Sequence, residues 1–342
     1  MHIGRFRVKV FSRKGAIRLA CLFLFILLAT AIGGAWMISM PGESHAGPLP
    51  PLTAEEGALA ASLRRDVEEL AGSIGNRNHK AHSRLMAAAD FMERRLRESG
   101  HEVRRQTFEL EGLPFHNLEV EISGTGRSRE IVVVGAHYDS APACPAANDN
   151  GSGSAALLSL AASFAGKRPA RTLRFVAFTN EEPPFFNAEG MGSRVYARRC
   201  RERNEDVTAM VSLETLGYYS DEEGSQKYPP PLSRFYPSRG NFVAFVGNVS
   251  SRSQVRSMIA CFRREVKFPS EGAALPAAIQ GVGWSDHLSF WQEGYPGVMV
   301  TDTAVFRYPW YHTRKDTPEK LDYERLARVV SGLRPVIAAL AE

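Results

Sequence analysis

Hydrophobic and polar positions fall into three regimes along this chain. Leu19 to Met40 is a run of 22 residues without a charge. As a helix it spans a hydrocarbon core of about 30 Å, and it lacks the polar stripe of a long soluble helix, so the pattern predicts a transmembrane anchor over 19–40. Proline and glycine then dominate Pro41–Pro51 (PGESHAGPLPP), which reads as a linker over 41–52 that stands the next domain off the membrane. From residue 53 the periodicity becomes that of a globular domain. Thr53-Ala-Glu-Glu56 has capping-box spacing, and Leu59, Leu63, Val67, Leu70 and Ile74 follow at helical intervals. A second amphipathic helix runs through Leu85, Ala88, Ala89, Met92 and Leu96 and ends at Gly100.

Beyond residue 102 short apolar runs alternate with helical stretches. Buried strands are predicted at 131–136, 173–178, 207–213, 243–246 and 298–300. Helices are predicted at 152–165, 190–200 and 251–265, and a last one at 323–341 repeats Leu326, Val329, Val330, Leu333, Val336, Ile337 and Leu340 on one face. Continuous apolar strands separated by helices imply an α/β fold with a largely parallel sheet covered on both sides. No second linker or repeat divides 53–342.

Composition narrows the class. With 342 residues, 44% hydrophobic and 23% charged, the chain is neither disordered, collagenous nor a disulfide knot. Its net charge of +5 is misleading, because Arg5, Arg7, Lys9, Arg13, Lys14 and Arg18 all lie in residues 1–18, which hold no acid. Without that tail the remainder carries −1, so no nucleic-acid partner is expected. The basic flank places 1–18 in the cytoplasm and everything after the anchor outside it. Ser44-His45-Ala46 leaves cleavage after Ala46 open, but the apolar run is longer than a signal peptide's. Cys144, Cys200 and Cys261 allow at most one disulfide, and there is no Cys-x-x-Cys zinc pattern.

Chemistry gathers at the carboxyl ends of the predicted strands, where open α/β sheets hold their ligands. Gly135-Ala-His137-Tyr-Asp139-Ser follows the first strand, Asn180-Glu181-Glu182 the second, and Glu214 the third. Asn148-Asp149-Asn-Gly-Ser-Gly153 opens a helix, Ser285-Asp286-His287 comes later, and Tyr311-His312-Thr precedes Asp316-Thr317. Singly, each has a plain explanation as a loop residue, a cap or a solvated charge. Together, adjacent glutamates at a sheet rim with two histidines and further carboxylates call for cations. Ligation by His, Asp and Glu without thiolate points to zinc, with manganese or cobalt as substitutes.

HYDS, NDNGSG, NEE and SDH followed by YHT and DT, in this order, resemble the co-catalytic two-zinc exopeptidases of the bacterial leucyl aminopeptidase and aminopeptidase Y type, whose relatives include glutamate carboxypeptidases, glutaminyl cyclases and the transferrin receptor. The resemblance covers roughly residues 75–340. It implies a three-layer αβα sandwich with a mixed, mostly parallel sheet, and an enzyme that removes N-terminal residues from peptides. His137 and Glu214 would hold one Zn2+, Glu182 and His312 the other, and Asp149 would bridge the two ions. Glu181 would be the general base, and Asp139 and Asp286 would support the ligands from behind. The three ligand carboxylates leave +1 on two divalent ions, which a bridging hydroxide neutralises. Two departures stand out. The family often has Asp at the position of Glu214, and Val282 and Gly283 occupy the stretch where some members carry an oxyanion-stabilising tyrosine, which makes Tyr311 the candidate here. The alternatives are a glutaminyl cyclase with one zinc and a receptor-like module with a dead site; the latter loses ligands, whereas every ligand position here is filled.

Overall fold

A computed structural model describes residues 13–342; the first twelve, with Arg5, Arg7 and Lys9 of the basic tail, lie outside the described residues. Two compact units result, the first ending at Ser39 and the second running from Met40 to Glu342. The described part of the first is one helix, α1 (Arg13–Ile38), whose segment 14–38 is long and apolar enough to cross a membrane.

The second unit runs α2 (Ala54–Val67), α3 (His82–Glu98), β1 (Val103–Leu110), β2 (Leu113–Ile122), β3 (Arg127–His137), α4 (Gly153–Ser163), β4 (Arg171–Phe178), α5 (Gly192–Glu202), β5 (Asp206–Glu214), β6 (Val243–Gly247), α6 (Arg252–Glu265), β7 (Ser270–Ala274), α7 (His287–Gln292), β8 (Gly297–Thr301), α8 (Ala304–Arg307) and α9 (Tyr323–Ala341). The predicted capping box is present: the Glu56 amide donates to Thr53 Oγ1, and Glu56 Oε2 accepts from the Thr53 amide. The stretch before it is not a free spacer. Arg263 on α6 donates to the carbonyls of Pro41 and Gly42, and the Ser270 amide donates to Ser44 Oγ.

One eight-stranded sheet, ordered β1-β2-β4-β3-β5-β8-β6-β7, organises the domain. The pairs β4–β3, β3–β5, β5–β8 and β6–β7 are parallel, whereas β1–β2, β2–β4 and β8–β6 are antiparallel. Two cores enforce the layering. Val132, Val134, Val211, Leu213, Val243, Phe245, Val298 and Val300 face a large core shared with α2, α3, α4, α6 and α9. On the other face Ile131, Val133, Val176, Phe178 and Met210 pack with Tyr196, Ala197 and Cys200 of α5 and Phe290 of α7. The result is the expected αβα sandwich. Cys144, Cys200 and Cys261 are buried free thiols.

Candidate metal centre

Most of the chemistry-bearing side chains sit where a central strand ends. His137 is the last residue of β3, Glu214 the last of β5, Glu181 and Glu182 follow β4, and Asp149 lies in the loop between β3 and α4. Sharp turns deliver them. Asn180, before Glu181, Thr215, after Glu214, and His312 itself have φ of 57°, 47° and 56°. Non-glycine residues in that left-handed region each cost about 1–3 kcal/mol and persist only where their surroundings hold them. In the NDNGSG turn the glycine is obligatory, because a Cβ on Gly153 would stand 2.3 Å from Asn150 Oδ1 and 2.4 Å from the Leu213 carbonyl.

Two clusters of ligand atoms emerge, one from His137, Glu181 and Glu214 and one from Asp149, Glu182 and His312, each with its atoms within 4.8 Å of one another. Asp149 reaches both: its Oδ1 lies 3.4 Å from His137 Nε2, and its Oδ2 lies 2.9 Å from His312 Nε2. Glu214 Oε2 is 3.3 Å and Glu181 Oε2 is 3.8 Å from the same His137 nitrogen. Glu182 Oε2 is 3.2 Å from His312 Nε2. The longer methylene chain of Glu214 is accommodated by Ser285, whose hydroxyl donates to Oε2 at 2.7 Å.

Electrostatics demand added positive charge. Asp139, Asp149, Glu181, Glu182, Glu214 and Asp286 are all buried around the two imidazoles. Burial, reinforced by Glu214 and Glu182 and opposed by His137, pushes the Glu181 carboxyl well above its usual range. Burial and Asp149 raise Glu182 to about 7 against the pull of His312. Burial would lower His137 and His312, but the carboxylates beside them win and raise both, His312 to about 11. Burial would raise Asp149, yet the same imidazoles hold it below the usual carboxylate range. The two ring nitrogens of His137, both carboxylate oxygens of Asp149 and Glu182 Oε1 are buried without a hydrogen-bond partner. Buried polar atoms are rarely left so. Orphaned imidazole and carboxylate atoms that converge are what divalent cations, zinc above all, require.

The supporting residues explain the precision. Asp139 presents Oδ1 to the Glu181 amide and Oδ2 to the Glu182 amide, both at 3.1 Å, and faces His137 Nδ1 at 3.4 Å. It thereby joins the ends of β3 and β4. Asp316, of the DT motif, accepts from the Asn148 amide at 2.8 Å and the Asp149 amide at 3.2 Å. Asn150 donates to the Leu213 carbonyl and accepts from the Thr215 amide, which locks the Asp149 loop to β5. Asp286 is buried beside His137, and burial raises its carboxyl to about 7. His287 lies outside both clusters, with Nε2 on the Val282 carbonyl at 2.8 Å. Tyr311 stacks on His312 with ring centroids 4.0 Å apart, and burial together with Asp149 and Glu182 keeps its hydroxyl protonated.

Sequence reading missed Arg77 altogether. It is fully buried, and its guanidinium donates to the carbonyls of Tyr138, Pro145 and Ala146, on either side of the metal loop's start. A lone arginine between two helices carries no signal of this task. Trp284 lines the cavity beside Glu214 and Tyr311. Phe185 packs on Phe115 and His79, and Trp310 on Tyr218 and Tyr308.

Residues 117–337 match the profile of peptidase family M28. An uncharacterized protein of Escherichia coli strain K12, YfbL, is 33% identical over 322 residues, 91% of this chain and 94% of its own. Leupeptin-inactivating enzyme 1 of Streptomyces exfoliatus is 32% identical over 310 residues, 86% of this chain; the match spans 61% of that enzyme. Among solved structures, a zinc aminopeptidase from Bacillus subtilis superposes with a TM-score of 0.64 at 17% identity, over 82% of this chain and 94% of that one. That likeness is one of fold.

Proposed function

The chain belongs to peptidase family M28, and from that premise we propose that it is a two-zinc aminopeptidase held in a membrane by α1, with residues 53–342 as its catalytic domain outside the cytoplasm. The observation that carries the metal reading is the pair of ligand clusters with Asp149 between them, its two oxygens near different imidazoles. His137 and Glu214 would hold one ion, Glu182 and His312 the other, and Asp149 both. When bound, the zinc ions supply Lewis acidity toward water and the scissile carbonyl.

The chain's own residues do the rest. Glu181 is the most distant of the three carboxylates around His137 Nε2, at 3.8 Å against 3.4 Å for Asp149 and 3.3 Å for Glu214, and is left over once Asp149 serves both ions. Its carboxylate, beside the ligand cluster, suits it to take a proton from the attacking water and pass it to the leaving amine. Asp139 fixes both glutamates through their amides and orients His137. Tyr311, protonated at the pocket wall, is placed to donate to the oxyanion.

Elemental analysis of the purified protein, together with hydrolysis of aminoacyl amides before and after chelation, tests this reading. Two zinc ions per chain and activity abolished by the chelator and restored by zinc are expected. One ion with cyclization of N-terminal glutamine would identify a glutaminyl cyclase; no metal and no turnover would leave a binding module. Added protease should digest the domain in intact spheroplasts, and full protection would contradict the topology.

A further inference from the structure

Glu214 ends a row that runs straight across the sheet. It pairs with Thr301 on β8, Thr301 pairs with Ala244 on β6, and Ala244 with Glu271 on β7. Residues in register project to one face, here the face on which α5 and α7 cover only the other half of the sheet. Three strand spacings of about 4.8 Å put Glu214 and Glu271 roughly 14 Å apart. The neighbouring row Met299–Val246–Ala273 extends an apolar floor, and Ala244 keeps its centre low. A single cavity follows this floor from Glu214 and Tyr311 to Glu271, roofed by Tyr228 and Tyr236 of the insertion after β5.

Most polar side chains along the channel are already engaged. The Tyr228 hydroxyl donates to the Pro237 carbonyl at 2.6 Å and Tyr236 to Gly272 at 2.9 Å; Gln226 accepts from Thr303 and Arg307 and donates to the Lys227 carbonyl. Among the described residues, Glu271 is the one charged residue lining the channel besides Glu214. Ser44 hydrogen-bonds to it, and Arg263 lies 4.0 Å away. The Arg263 guanidinium is itself taken up by Pro41, Gly42 and Ser270. A carboxylate has about four lone-pair sites, so Glu271 retains acceptor capacity at the end of an apolar channel.

We propose that this channel receives the side chain of the substrate's N-terminal residue and that Glu271 selects long cationic side chains, arginine and lysine, over neutral ones. An apolar corridor with a carboxylate at its far end matches a methylene stem with a charged head. Branched aliphatic residues end on the floor near Thr301 and Ala244, short of Glu271. The inference rests on the aminopeptidase reading above.

The test compares kcat/KM of the zinc-loaded full-length enzyme on lysyl and norleucyl aminomethylcoumarin, norleucine being lysine without its ammonium. Lysine should be preferred about tenfold or more, the worth of one hydrogen bond to a charged group. Glu271→Gln should abolish that ratio and Glu271→Asp should retain part of it; a merely structural role would depress both substrates alike. A wild-type preference for norleucine, or a ratio unmoved by Glu271→Gln, overturns the proposal. Binding of lysine and norleucine hydroxamates by calorimetry decides the matter without turnover. Equal affinities overturn the proposal, and tighter lysine binding lost in Glu271→Gln supports it. Absence of hydrolysis with either substrate counts against the aminopeptidase reading alone.

Discussion

Arg77→Met should destabilise the domain by about 3–5 kcal/mol and loosen the metal loop with it. The guanidinium donates to five carbonyls, of Tyr138 and Pro145 at 2.6 Å, Ala146 at 2.9 Å, and Leu70 and Gly75 at 3.2 Å, and makes no ion pair among the described residues. Leu70 and Ala146 keep a second donor, the amides of Gly75 and Gly151. Gly75, Tyr138 and Pro145 do not; the Tyr138 carbonyl is buried and the other two are half-buried, and a buried acceptor left unpaired costs about 1–3 kcal/mol. Methionine also relieves the penalty of burying a charge, visible in the lowered pKa of Arg77; allowing for that relief leaves the quoted range. Such a loss is a large share of the roughly 5–15 kcal/mol that holds a domain folded. Urea unfolding followed by near-UV circular dichroism, on zinc-free protein, measures it, and zinc titration of the same samples reads the loop. Unfolding within about 1 kcal/mol of the parent, together with unchanged zinc affinity, would refute this account of Arg77.

Asp139→Asn turns an amide donor toward one of two backbone N–H groups, so zinc affinity or activity should fall by about 10–100-fold, as competition with a chelator would show; an unchanged affinity and rate would remove Asp139 from its role. Tyr311→Phe should lower kcat by about 10²–10³ with full zinc content, and a normal kcat would leave Tyr311 a packing residue. His287 is buried neutral, and burial lowers its pKa from 6.5 to about 4, only partly opposed by the Val282 carbonyl. The unfolded chain therefore binds a proton that the folded one refuses, and roughly 3 kcal/mol of stability present above pH 6.5 is lost as pH falls toward 4. His287→Gln should flatten that interval of a stability-versus-pH curve, and an unaltered slope would contradict the assignment.

Why some of this was legible in the sequence and some was not follows from the range of the interactions. The apolar runs of β3, β4 and β5 are buried on both faces and stand out, and the residues at and after their ends mark the sheet's rim, so His137, Glu181, Glu182 and Glu214 could be picked out together; Asp149 and His312 lie in loops and were legible only through the NDNGSG and YHT motifs. The hairpin β1–β2 was not legible: in Val103–Leu110 exposed Arg, Thr and Glu alternate with half-buried positions and only Val103 is buried, a pattern weak enough to pass for loop. Strand β7 (SEGAA) is small and short, and its identity comes from pairing with β6. Arg77 and Asp316 act on backbone atoms distant in sequence, which residue identity does not announce. The row from Glu214 to Glu271 depends on the register of four strands and exists only once the sheet is assembled.

The proposed division of labour between Glu181 and Glu182 is tested directly by one comparison: turnover per zinc-loaded enzyme for Glu181→Gln and Glu182→Gln. Both residues follow β4 and both amides rest on Asp139. Glu182→Gln should lose zinc together with activity. Glu181→Gln keeps shape and hydrogen bonding but not basicity, so it should keep both zinc ions while turnover falls by about 10²–10⁴, the usual contribution of a positioned general base. Near-normal turnover in Glu181→Gln at full zinc occupancy would contradict the proton-transfer role and with it the mechanism.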